Sequence, residues 1–352
     1  MRKYLIPNGG RFYKVALHTH TTVSDGRLTP EELKDEYKKR GFSVVAYTDH
    51  ELIVPHNELR DEDFLPITAY EIAVADGKWG PFTKCYHLNI YFKDKDTTLS
   101  RTFCARHVSS KEHMQALITD EMREIGTESR EYTKEFIQWL VDTAREEGAI
   151  VSYNHPVWSL QDKDDYSGLR GFFGVEWHNS SSSGIGMIDA IQPIQDLLLE
   201  GERKCYPLAT DDCHSLKDVG RGFVMVKAER LEYDDIFDAL DRGDLYSSTG
   251  PEIKELYVED GMLVIKTSPV KKIIGFTDHR HTIRKMAGEG EYITEASLSL
   301  ETFIRNVGLA PEGRMPFVRM DVIDEYGRHA YSRAYFADEF LNVEQIRKNA
   351  NN

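Results

Sequence analysis

Short apolar runs recur through the first 250 residues, and most of them end on a histidine or a carboxylate. Val15-Ala-Leu-His-Thr-His20 is followed by Ser24-Asp25-Gly26, and Phe42–Tyr47 leads into Thr48-Asp49-His50. Phe64–Tyr70 ends at Glu71, His87 opens Tyr86–Phe92, and Ile150–Asn154 ends at His155. Asp212 and His214 close the run that starts at Tyr206. Runs this short, bounded by turn residues, predict strands. Seven are predicted, at 14–20, 42–49, 64–71, 86–92, 149–155, 172–177 and 206–212.

Helical spacing fills several of the gaps. Thr29-Pro30-Glu31-Glu32 is a capping box with proline at the first helical position. Leu33 and Tyr37 lie one turn apart, and Gly41 can end that helix in a left-handed conformation. The same reasoning predicts helices near Tyr132–Glu147, ended by Gly148, and near Met187–Leu199, ended by Gly201. Strand–helix alternation predicts an α/β fold with a parallel barrel. Residues 93–131 interrupt the alternation and are expected to form an insertion near the mouth of any site, with a helix over Lys111–Ile125.

The pattern changes after Gly250-Pro251. Met262–Thr267, Lys271–Phe276 and Phe317–Ile323 are predicted strands, and Asp324–Gly327 is a turn before a strand at Arg328–Phe336. The expected organisation is an α/β barrel over residues 1–250 and a small β-sandwich over 251–345.

Composition narrows the function. The net charge of −15 opposes broad affinity for extended nucleic acid. Four cysteines without a C-x-x-C pair suit a reducing compartment and small buried side chains. No apolar segment is long enough to cross a membrane, and the first residues carry no leader pattern, so a cytoplasmic protein is expected.

The chemistry is suggested by the strand ends. Two histidines at i and i+2 on a strand share one face. Imidazoles and carboxylates gathered at strand ends are what divalent transition metals need. The candidate ligands are His18, His20, Asp25, His50, Glu71, His87, His155, Asp212 and His214. His56, His107, His113, His281 and His329 lack that context and are expected to be solvated, and a second Thr-Asp-His at Thr277–His279 has no companion carboxylates near it in sequence.

In order, the motifs are H-x-H-x-x-x-S-D-G at His18–Gly26, T-D-H at Thr48–His50, Glu71, His87-Leu88, N-H-P at Asn154–Pro156 and D-x-H at Asp212–His214. Gly174-Val-Glu-Trp-His-Asn179 adds a G-V-E-x-x-N strand. Together they resemble the PHP (polymerase and histidinol phosphatase) family over roughly residues 14–250. The resemblance implies a distorted (β/α)7 barrel and a metal-dependent hydrolase. The region after residue 250 is similar to the C-terminal domains of some PHP metallohydrolases.

Carried over by position, the resemblance implies about three divalent ions per chain, as Mn²⁺, Zn²⁺ or Fe²⁺. His18, His20, Glu71 and Asp212 would hold one. Glu71 would bridge to a second with His87 and His155, and Asp25, His50 and His214 would hold a third. Some members carry histidine at the Asp25 position. Three dications against three carboxylates leave an excess of about three positive charges, which favours a phosphate ester over a neutral amide. Arg221 is the candidate for stabilising the charge that develops at phosphorus. Asp49 is expected to orient a ligand or move a proton, and His178 to face the pocket as a proton donor.

The leading expectation is a metal-dependent phosphoesterase acting on a small phosphorylated metabolite or nucleotide. The alternatives are an amide, carbamate or ester hydrolase on the same centre, and a non-catalytic metal-stabilised scaffold whose sandwich binds a partner.

Overall fold

The computed structural model describes residues 2–125 and 129–350. Residues 126–128 of the expected insertion lie outside the described residues. The strands are β1 (Lys3–Tyr4), β2 (Arg11–Ala16), β3 (Val44–Tyr47), β4 (Leu65–Ala75), β5 (Cys85–Tyr91), β6 (Ile150–Tyr153), β7 (Gly174–Asn179), β8 (Tyr206–Thr210) and β9 (Phe223–Ala228). They continue with β10 (Leu245–Ser248), β11 (Ile253–Glu259), β12 (Met262–Val270), β13 (Lys272–Thr277), β14 (Thr282–Met286), β15 (Ile293–Ser299), β16 (Phe317–Ile323) and β17 (His329–Phe336). The seven predicted strands of the first part correspond to β2 through β8.

The fold is mixed α/β, with a 13-stranded sheet ordered β14-β13-β16-β17-β10-β9-β2-β3-β4-β5-β6-β7-β8 and a 4-stranded sheet ordered β1-β11-β12-β15. Two features depart from the expected parallel barrel. First, β5 runs antiparallel to both β4 and β6. Only residues 76–84 join β4 to β5, too few for the helical crossover a parallel pair needs.

Second, the sheet does not close into a laddered barrel among the described residues. The edge of β2 that β8 would need is held by β9, which pairs antiparallel along Arg11–Val15. Past that ladder, a single isolated bridge joins Thr19 to Cys213, with the His20 N–H donating to the Cys213 carbonyl at 2.9 Å. That bridge is the rim of the site, because it sets His18 and His20 beside Asp212 and His214.

The large sheet also runs through residue 250 unbroken, since β10 pairs with β17 in register Ser247↔Tyr331. After Pro251 the chain supplies β11, β12 and β15, which join β1 in the 4-stranded sheet, and β13, β14, β16 and β17, the tail of the large sheet on which it packs. Ile253, Leu256, Leu263 and Ile265 share one core with Ile273, Val318, Met320 and Val322.

Local signals act as their chemistry requires. Both hydrogen bonds of the Thr29 box form at the N-terminus of Pro30–Lys38, between Thr29 and Glu32, and Gly41 takes φ +76°. The helix at Lys134–Glu146 is followed by Gly148 at φ +80°. The third helix starts late, at Gln192 rather than Met187, with Pro193 in its first turn. Lys111–Ile125 holds two short helices, Glu112–Gln115 and Asp120–Glu124, because the Thr119 side chain caps the Met122 N–H and starts a new helix. Leu52, Phe103, Val108, Met114 and Met122 tie this insertion to the His50 loop in a small core of their own.

Candidate metal centre

All nine candidate ligands converge at one end of β2 to β8, and Glu71 is at the middle. The isolated parallel bridge His50↔Glu71 sets those two side by side. On the antiparallel β4–β5 ladder Glu71 opposes Asn89 and Ala73 opposes His87, so Glu71 and His87 are diagonal neighbours on one face. The Glu71 carboxylate lies 3.2 Å from His18 Nε2, 3.3 Å from His20 Nε2, 3.1 Å from His50 Nδ1, 3.2 Å from His87 Nδ1 and 3.4 Å from His155 Nε2.

Asp212 forms a second focus, with Oδ1 3.3 Å from His18 Nε2 and 3.1 Å from His20 Nε2. Asp25 is at the outer end, 3.8 Å from His50 Nε2 and 3.5 Å from His214 Nε2. Close groups of ligand atoms are His20, Asp25, His50 and His214; His18, His20 and Glu71; His50, Glu71 and His87; and His18, His155 and Glu176.

The donors fit divalent metal. His20 Nδ1, His87 Nε2 and Glu71 Oε2 are buried with no hydrogen-bond partner, and orphaned buried polar atoms are costly unless something binds them. The backbone is strained at the same place. His155 and Asp212 take φ +24° and +50°, a region that favours glycine, as does Glu51 beside His50 at φ +61°.

Charge is strongly perturbed. Burial would lower the pKa of His18, but Asp212, Glu71 and Glu176 raise it well above the ordinary histidine value. His20 is likewise opposed by burial but pushed up to about 10 by Asp212 and Glu71. His50 goes the other way, to about 4, because its burial outweighs Glu71. Glu71 and Asp212 are buried too, yet the surrounding histidines hold both well below the carboxylate range. The carboxylates thus favour positive charge on His18 and His20, and the same negative field would favour a bound metal ion.

Glu176 is a residue to which the sequence reading gave no role, although its motif was legible. It is fully buried. Its Oε1 accepts from His18 Nδ1 at 2.7 Å and from the Thr210 hydroxyl at 2.7 Å, and its Oε2 accepts from the His155 N–H and Asn179 Nδ2 at 3.0 Å each. It thus fixes the His18 ring, leaving Nε2 for the cluster. It also adds a fourth carboxylate to the charge balance, reducing the expected excess to about two.

Asp49 accepts from the Thr21 N–H at 2.8 Å, the Thr21 hydroxyl at 2.8 Å, the Ser24 N–H at 3.1 Å and the Ser24 hydroxyl at 2.6 Å. It organises the loop that presents Asp25. Asp211 does the same one residue before Asp212, accepting from the N–H groups of Arg221 and Gly222 and from Tyr37 and Ser180.

His178 lies off the close groups. Its Nε2 meets Ser180 Oγ at 3.2 Å, and burial lowers its pKa to about 4. It is therefore a neutral imidazole at neutral pH, with one ring N–H and no imidazolium proton to give. Arg221 is exposed and meets Asp211 through its backbone; the cation lining the cavity over the cluster is Lys217.

His56, expected to be solvated, is buried against the Tyr47 ring at 4.6 Å. All four cysteines are buried. Among the described residues no helix is long and apolar enough to cross a membrane.

No family model and no curated protein matches the chain. Among solved structures, it is similar to a two-domain protein from Bacteroides vulgatus containing a predicted PHP-like metal-dependent phosphoesterase. The identity is 14%, over 95% of this chain and 98% of that one, with a TM-score of 0.42. It is also similar to an amidohydrolase from Chromobacterium violaceum with bound sulfate and no metal, at 18% identity over 57% of this chain and 87% of that one, TM-score 0.36. The lesion-specific endonuclease EndoQ from Pyrococcus furiosus is a third, at 16% identity over 66% of this chain and 56% of that one, TM-score 0.40. These are distant similarities, and the chemistry of this chain is read from its own residues.

Proposed function

We propose that this protein is a PHP-type metal-dependent phosphoesterase that hydrolyses a small phosphorylated metabolite or nucleotide. One observation carries the reading: a single buried carboxylate, Glu71, faces five histidines within 3.4 Å. A lone ion pair needs one such partner; a bridge between metal ions needs several.

Three ions are proposed. His18, His20, Glu71 and Asp212 hold the first, Glu71, His87 and His155 the second, and Asp25, His50 and His214 the third. Bound divalent ions would supply Lewis acidity and an activated water. This chain supplies the rest. Glu176 orients His18, Asn154 Nδ2 donates to Glu71 Oε1 at 2.9 Å, and Asp49 and Asp211 fix the loops of Asp25 and Asp212. Lys217 is the group proposed to attract the phosphate.

Elemental analysis of metal-loaded protein should approach three ions per chain; saturation near one removes the trinuclear reading. A panel of phosphate monoesters, bisphosphates and carbamate esters with Mn²⁺, Zn²⁺ and Fe²⁺ tests the reaction. If carbamates or uncharged esters turn over while every phosphate ester is inert and phosphate does not inhibit, the amide, carbamate or ester reading replaces this one.

A further inference from the structure

The loops around the cluster carry large apolar side chains in the open. Trp79 and Phe82 are 56% and 89% exposed on the β4–β5 connection, Trp158 is 36% exposed after His155, and Ile185 and Leu216 are 66% and 52% exposed nearby. Of these, Trp158 and Ile185 line the cavity of the histidine cluster and Trp79 lies beside its His87, and exposed apolar groups at a cavity mouth point to a ligand. Trp158, Ile185 and Lys217 line the same cavity as the histidine cluster, a space of about 290 Å³, which suits a small molecule.

Both tryptophans flank His87. The Trp79 ring lies 6.1 Å from it at 76°, and the Trp158 ring lies 5.4 Å from it and 5.1 Å from His155. Trp158 sits on a held turn. The Val157 N–H donates to the buried Asp189 carboxylate at 3.0 Å, the Ser159 N–H donates to the His155 carbonyl at 3.1 Å, and the Ser159 hydroxyl meets His155 Nδ1 at 3.2 Å. The platform is therefore ordered before a ligand arrives, which lowers the entropic cost of binding.

We infer that Trp158 and Trp79 form an aromatic subsite and that the ligand is a phosphate monoester carrying a flat aromatic group. This rests on the phosphoesterase reading: the phosphate takes the cluster and Lys217, and the ring stacks at the tryptophans. Ring stacking of this kind is worth roughly five- to hundredfold in affinity.

The test uses phenylphosphonate and methylphosphonate, which keep the anion and cannot be hydrolysed, titrated calorimetrically into metal-loaded protein and followed by tryptophan fluorescence. Phenylphosphonate should bind about tenfold or more tighter, with quenching. In the double variant Trp79→Ala/Trp158→Ala that advantage should vanish while methylphosphonate affinity holds, and Trp158→Phe should restore part of it. Equal affinity of the two phosphonates for the unaltered protein overturns the aromatic subsite and leaves the phosphoesterase reading standing. Failure of both phosphonates and of inorganic phosphate to bind overturns both.

Discussion

The chain contains Thr-Asp-His twice, and the two copies have different fates. In Thr48–His50 the aspartate is consumed by the Thr21–Ser24 loop, and His50 faces Glu71 at 3.1 Å and Asp25 at 3.8 Å. In Thr277–His279 the aspartate accepts from Arg314 Nε at 2.8 Å, and the two ring nitrogens of His279 meet Asp278 at 2.8 Å and Asn306 at 2.8 Å. The first histidine faces carboxylates from another strand and from the turn after His20; the second is satisfied within its own neighbourhood. A tripeptide does not make a metal ligand. Convergence of several strand ends does.

The comparison breaks most sharply at Glu71. Glu71→Gln should abolish hydrolysis and lower occupancy of the first two proposed sites together, whereas Asp25→Ala should mainly empty the third. Equal and complete metal loss in both variants, by elemental analysis, would contradict the division.

The support behind His50 comes next. Glu51 is paired with Arg130 in a buried ion pair, at 2.6 and 2.7 Å, and Arg130 also donates to the Ala73 carbonyl at 2.8 Å. Arg130→Met leaves that carboxylate uncompensated and should cost about 3–5 kcal/mol in denaturant unfolding. A loss below about 1 kcal/mol would mean that the pair does not hold the insertion to the site.

Glu176→Gln weakens the orientation of His18 without removing a proposed ligand. Metal affinity measured against a chelator should fall about 10- to 100-fold. A fall as complete as that of Glu71→Gln would make Glu176 a ligand itself.

Protons sharpen the same contrast. Asp212 and Glu71 push the His20 pKa up to about 10, so the metal-free protein is expected to hold a proton there at pH 7 and metal loading at pH 7 to release it. Calorimetry in two buffers of different ionisation enthalpy reads that release. The sign for stability follows from the raised value. The contribution of His20 to the metal-free fold is complete below its unfolded pKa of about 6.5 and is lost as pH rises through about 10. The metal-free protein should therefore unfold at lower temperature at pH 10 than at pH 6.

The smallest effect is expected at the second copy. His279→Ala should leave metal content and activity unchanged. Any loss of metal there would mean that Thr277–His279 is a site.

Much of this was legible along the chain. Apolar runs ending in His, Asp or Glu marked seven strands, and β2 through β8 match them because a strand's burial pattern is written in its own residues. The Thr29 box and Gly41 were readable for the same reason, since caps are local chemistry. The nine candidate ligands could be gathered because most lie at an edge of an apolar run and Asp25 lies in the turn that follows one. The role of Glu176 was not legible: a buried carboxylate in a strand looks the same whether it binds metal or orients the histidine that does.

Tertiary structure alone decided the remaining points. The reversal of β5 depends on how a nine-residue connection (76–84) folds, and the open sheet depends on β9 taking the edge of β2 over Arg11–Val15. Neither is a property of one segment. That Lys217 and Trp158 line the cavity over the cluster was likewise set by loops, which Asp211 and Asp189 hold through the Arg221 and Val157 N–H groups. Sequence fixes which residues are able to bind metal, because ligand chemistry is intrinsic to the side chain. Only packing fixes which of them meet, because a site is built from distances between strands that lie far apart in sequence, as His18 and Asp212 do.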